Sequence, residues 1–236
     1  MTNFRIKICG VRTISDLQAC AAAGADAVGL NGFDRSVRFV DPASPHTVKL
    51  AEEAKRLGLT VVGVFVNETV ERLKTVADRL ELDAIQLHGD ESIQMATALL
   101  QHGVEVIRAV RLPTKSLTIS QVTRAVSAWN EIGCDCLIDA DAGAAYGGEG
   151  RKLDWSVLGD WNQSTDTNWI LAGGLNPTNL AEAMHTSAAT RVDVASGVEQ
   201  PKGQKSAALI EQFVEIGLQC LPDRRPHTDR GVDSQA

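Results

Sequence analysis

The sequence predicts an α/β protein folded as a single (β/α)8 (TIM-type) barrel, and three observations carry that expectation. Eight short apolar runs of strand character recur along the chain, and each is followed by a stretch with helical spacing or helix-capping residues. An open doubly wound sheet rarely needs so many regular repeats, whereas a parallel sheet closed on itself requires them. The length of 236 residues suits one such barrel.

The elements follow in order. Arg5 to Cys9 is the first strand, its alternation placing Arg5, Lys7 and Cys9 on one face and Ile6 and Ile8 on the other. Thr13 to Ala23 reads as a helix capped by Thr13, with Asp16 at its third position and Gly24 ending it. Ala27 to Leu30 is the second strand, and a polar loop with Arg35 and Arg38 follows. Pro45 opens a helix to Leu57, and Thr60 to Val66 is the third strand. Val70, Leu73, Val76, Ala77 and Leu80 share one helical face before the fourth strand, Ala84 to Leu87.

Glu91 to Gln101 is the next expected helix, Val106 to Val110 a strand, and Ser120 to Trp129 a helix. Cys136 to Asp139 is the sixth strand and opens into the glycine-rich loop 140–150, with a short helix from Asp154. Trp169 to Ala172, a helix over Pro177 to Met184, Arg191 to Val194 and a helix over Lys205 to Leu218 complete the set. The barrel is expected over residues 1–220. Residues 221–236, polar and proline-bearing, are expected as a disordered tail.

Composition narrows the function. Hydrophobic residues at 44% and charged residues at 22% exclude a wholly disordered chain. A net charge of -7 argues against nucleic acid and against an anionic membrane surface, leaving a small anionic ligand held by a local cradle. No apolar run approaches the roughly 18 residues that a membrane helix needs. Five cysteines without a repeating framework, and an N-terminus without a signal-like region, point to a reducing cytoplasm. Cys134 and Cys136 form a lone C-x-C, a weak metal signal that strand packing accounts for.

Active sites in this fold form where the strands end, so strand ends and following loops are read together. The first strand ends in Cys9, beside the Lys7 ammonium, and a nearby cation favours the thiolate that a general base needs. A buried core cysteine is the other reading. Asp139 ends an otherwise apolar strand, as a general acid or as the cap of the next turn. Gln86, His88 and Asp193 converge on the same rim. Gly173-Gly174 and Ser196-Gly197 follow the last two strands, where main-chain N–H groups approach a phosphate closely, unless these glycines only make tight turns. Arg38 is placed either to meet a carboxylate with its planar fork or to stand in solvent.

An ordered series of motifs runs through these elements: KICG at Lys7, GADAVGL at Gly24, S-x-R at Ser36, VGVFVN at Val62, LDAIQLHGD at Leu82, LID at Leu137, GG-x-G at Gly147, LAGGLNP at Leu171 and VD-x-x-SGVE at Val192. With this set, nearly all of residues 4–218 resembles the phosphoribosylanthranilate isomerases of tryptophan biosynthesis. The resemblance implies the barrel and an Amadori rearrangement of a phosphorylated aminosugar, with no metal or cofactor. It further implies Cys9 as general base, Asp139 as general acid, Arg38 on the anthranilate carboxylate, and Gly174 with the Ser196-Gly197 loop around the phosphate. Gln86, His88, Asp193 and Gly173 join them as expected substrate and phosphate contacts. A monomer or homodimer is expected.

The sequence departs from the family pattern at Glu149, where threonine is usual, at Val37, at Gly32 and Asp34, and at Ala195. Glu149 prompts a second reading, the related isomerase of histidine biosynthesis or a bifunctional variant. A phosphate-binding barrel without turnover is the third.

Overall fold

A computed structural model of the chain describes residues 2–140, 153–165 and 167–221. Of the expected disordered tail, Leu221 is described and is buried, whereas residues 222–236, like the Gly147–Gly150 motif with Glu149, lie outside the described residues.

Eight parallel strands close into a barrel in chain order. They are β1 (Ile6–Cys9), β2 (Ala27–Asn31), β3 (Thr60–Phe65), β4 (Ala84–Leu87), β5 (Glu105–Leu112), β6 (Asp135–Ala140), β7 (Trp169–Leu171) and β8 (Val192–Val194). The helices between them are α1 (Ile14–Ala23), α2 (Pro45–Arg56), α3 (Val70–Leu80), α4 (Ile93–His102), α5 (Ile119–Glu131), α6 (Trp155–Gln163), α7 (Leu180–Ser187) and α8 (Ala207–Cys220). Closure is made by β1 on β8, with Lys7 level with Asp193. The (β/α)8 expectation is borne out.

Local chemistry explains the boundaries. Thr13 and Asp16 form a reciprocal capping box at α1, and Thr118 and Gln121 form another at α5. Three helices begin later than their sequence suggests. Ser92 caps α4, which frees Glu91 from the helix to bind Arg108 at 2.6 Å. Asn176 and Asn179 spend their side chains on the turn around Pro177, delaying α7 to Leu180. Ser206 caps α8, so Lys205 stays outside it.

Strand alternation divides the apolar residues into two cores. The outward set, Ile6, Ile8, Val28, Leu30, Ile85, Leu87, Ile138 and Leu171 among them, packs under the helices. Cys134 and Cys136 belong to this set, as strand packing predicts. The inward set is Phe4, Ala27, Val62, Ala84, Ile107, Ala109, Leu137, Ile170 and Ala172, a filled interior of small and large side chains. Full burial of Phe4, Ile107, Leu137 and Ile170 contributes roughly 1.5–3 kcal/mol each.

Below this core, Arg191 seals the N-terminal end. It donates to Asp135 at 3.1 Å and to the Phe4 carbonyl at 3.0 Å, and its guanidinium lies 4.6 Å from the Phe4 ring centre. The opposite end is left for polar groups. Among the described residues, no helix is long and apolar enough to cross a membrane.

Candidate active site

At the C-terminal end of the barrel lies a cavity of about 230 Å³. Cys9, Gln86, His88, Asp139, Asp193, Arg38, Gly173, Gly174 and Ser196 all line it. Nine of the ten expected site residues are therefore brought together. Gly197 is the exception, because it sits against the Leu175–Asn176 backbone, where a Cβ would collide with the Leu175 carbonyl. It locks the β8 loop onto the β7 loop instead of facing the cavity.

Cys9 occupies its position because β2 makes room for it. A Cβ on Gly29 would lie 2.8 Å from the Cys9 sulfur, so only glycine leaves the thiol its space. Gly10 follows at φ +78° and turns the chain under Arg38. Lys7, one step back on the same face, is fully buried, with its ammonium 2.7 Å from Asp193. Burial pulls the Lys7 ammonium down, but Asp193 and the Cys9 sulfur more than offset this and hold it above its ordinary value.

The neighbouring cation does not make Cys9 acidic, contrary to expectation. Burial pushes the thiol up, Lys7 pulls it down, and Asp193 pushes it up again; the net shift is upward. The thiol is 7% exposed, and Asp193 takes a share of the Lys7 charge that would otherwise stabilise the thiolate. Asp193 is thus committed through Oδ1 to Lys7 rather than wholly available to a ligand.

On the other wall, Asp139 Oδ1 accepts from the Ala140 amide at 2.8 Å. Asp139 also lines the cavity. Gly173, at φ +85°, lets the β7 loop pass this carboxylate, where a Cβ would stand 2.9 Å from Oδ1. Gln86 donates its amide to His88 Nδ1 at 2.8 Å, which leaves the neutral ring's proton on Nε2, 3.5 Å from Asp139 Oδ2.

Arg38 does not stand in solvent. It is buried against Glu199 in a two-bond fork, Nε to Oε1 at 2.6 Å and Nη2 to Oε2 at 2.8 Å. Glu199 also accepts from Lys205 Nζ at 2.9 Å and from the Gly203 amide at 2.8 Å. Burial opposes its charge, yet Arg38 and Lys205 bring the Glu199 carboxyl down to about 2. Sequence reasoning missed Glu199, although it stands in the SGVE motif, and it missed Lys202, an exposed cation on the cavity rim.

A thiol and a carboxyl group thus stand on separate walls of one cavity, beside two glycine-bearing loops. Residues 6–216 fit the sequence model described as N-(5'-phosphoribosyl)anthranilate (PRA) isomerase. The chain belongs to the phosphoribosylanthranilate isomerase family. Relatives bearing the isomerase name include those of Ruegeria sp. (strain TM1040), 37% identical over 91% of this chain and 98% of its own, and of Rhodospirillum centenum, 39% identical over 89% and 96%. The solved phosphoribosylanthranilate isomerase of Thermotoga maritima superposes with a TM-score of 0.80 at 30% identity, over 92% of this chain and 99% of that one. An isomerase crystallised with reduced 1-(o-carboxyphenylamino)-1-deoxyribulose 5-phosphate superposes at 0.77, also at 30% identity, over 92% and 99%. The family resemblance read from the motifs is therefore borne out.

Proposed function

We propose that this chain carries out its family's isomerisation, the step of tryptophan biosynthesis that converts N-(5'-phosphoribosyl)anthranilate to 1-(2-carboxyphenylamino)-1-deoxyribulose 5-phosphate. In this reading Cys9 is the general base and Asp139 the general acid. The observation that carries it is their common cavity: Cys9 reaches in from the end of β1 and Asp139 from β6, three strands round the ring.

The chemistry needs that separation. Asp139 gives its proton to the furanose ring oxygen, the C1'–O bond breaks, and the nitrogen lone pair forms the C1'=N iminium. Cys9, as thiolate, then removes the C2' proton, and the electron pair moves through C1' to the iminium nitrogen to leave an enolamine. Ketonisation completes the product. The iminium nitrogen accepts the electrons, so one acid and one base complete the step.

The remaining assignments follow the substrate's two anions. Gly173, Gly174 and the Ser196-Gly197 loop cradle the phosphate, with Gly197 acting through loop packing. Arg38 takes the anthranilate carboxylate, and Gln86, His88 and Asp193 surround the sugar. The protein works as one barrel domain in the cytoplasm, a reading supported by its five unpaired cysteines. It acts as a monomer or homodimer; a solved relative from Thermotoga maritima is described as a monomer generated from a dimeric enzyme.

The test is turnover of phosphoribosylanthranilate, followed by loss of its fluorescence. Activity is expected in the unmodified chain and abolished in Cys9→Ser and Asp139→Asn. Equal activity in all three proteins would remove these two residues from the mechanism.

A further inference from the structure

Four charged groups act electrostatically on Cys9: Lys7 on its own strand, Asp193 on β8, Arg38 on the β2–α2 loop and Lys205 ahead of α8. Asp139 and His88 stand on the cavity's other walls. Arg38 and Lys205 are both engaged by Glu199. Lys7 is different. Its ammonium is completely buried, stands on the same face of β1 as Cys9, and has Asp193 as its ion-pair partner at 2.7 Å.

A lysine buried inside a barrel is costly unless its charge is used or paired. Here one ammonium pairs with a carboxylate and shares a strand face with a thiol, and both of these open onto the cavity.

We infer that Lys7 is the counter-cation of the Cys9 thiolate and that Asp193 competes with the thiolate for it, so the two residues set Cys9 acidity with opposite sign. The inference deepens the reading of Cys9 as general base. When Cys9 ionises, its proton passes to cavity water and the electron pair remains on sulfur, with no redox change. With Asp193 in place, ionisation adds a negative charge to an already neutral Lys7–Asp193 pair. Without the Asp193 charge, the same ionisation neutralises an isolated buried ammonium. Lys7 and Asp193 in this role are positioning residues, because they act on the reaction through sulfur.

The direct measurement is alkylation of Cys9 by iodoacetamide across neutral to alkaline pH, with mass spectrometry locating the adduct. A Cys220→Ser background removes the exposed thiol. Only the thiolate reacts appreciably, so the rate reports its population without any substrate. At slightly alkaline pH, Lys7→Met should be alkylated about tenfold more slowly than its parent and Asp193→Asn about tenfold faster, with each pH profile shifted accordingly. Lys7→Arg should restore the parental profile. Circular dichroism establishes that each variant is folded.

Unchanged profiles, or shifts of the same sign in both variants, overturn the inference. If Lys7→Met does not fold, Asp193→Asn decides alone: faster alkylation supports the competition, and unchanged or slower alkylation refutes it. Failure of the base assignment looks different, because Cys9→Ser would then keep its turnover whatever the alkylation rates.

Discussion

Arg38 and Glu199, 161 positions apart in the chain, grip each other through two hydrogen bonds of 2.6 and 2.8 Å. The pair joins the loop after β2 to the loop after β8, on either side of β1 and Cys9. An arginine this deeply engaged has lost its rotamer freedom before any ligand arrives, which lowers the cost of meeting a carboxylate.

Glu199→Gln should loosen both loops. The carboxyl sits at about 2 in the folded protein against an ordinary 4.5. A group depressed by folding contributes stability that is complete above its unfolded value and lost as pH falls through its folded value. Urea unfolding at neutral pH should find the variant on the order of 3 kcal/mol less stable. That difference should shrink as pH falls from 4.5 toward about 2.

Gly29→Ala should act on the thiol specifically. The added methyl group would press on the Cys9 sulfur at 2.8 Å and on its Cα at 3.1 Å. A catalytic atom displaced by about 1 Å costs about a hundredfold in rate, whereas local overpacking costs about 1–3 kcal/mol of stability. Steady-state kinetics should therefore show a large fall in kcat in a protein that still unfolds cooperatively.

Arg191→Met should do the reverse. It removes the guanidinium that seals the barrel floor and leaves Asp135, 2% exposed, without its cation. Breaking such a pair costs about 3–5 kcal/mol. Thermal unfolding should record that loss, while kcat of the folded enzyme stays near the parental value, since none of these groups lines the cavity.

The barrel was legible because eight apolar runs at regular intervals leave few other ways to bury them, and the capping residues mark most helix starts. Cys9, Asp139 and the two glycine-bearing loops were legible for a related reason: strand ends in this fold point to one rim. What escaped were relationships across long separations. Nothing near Arg38 in sequence announces Glu199, and nothing near Lys7 announces Asp193. Seeing only the neighbouring ammonium, the sequence reading expected an acidic thiol; burial and the distant carboxylate reverse that sign. The start of α7 was misplaced because Pro177 suits the first turn of a helix, yet Asn176 and Asn179 hold it in a preceding turn.

The Lys7–Asp193 pair also carries a consequence for folding. Lys7 stands on the first strand of the barrel and its carboxylate partner on the last, so the pair forms only when β8 closes on β1. Until β8 docks, Lys7 lacks the carboxylate that offsets the cost of burying its charge. The charge environment of the thiol is therefore completed only when the ring closes.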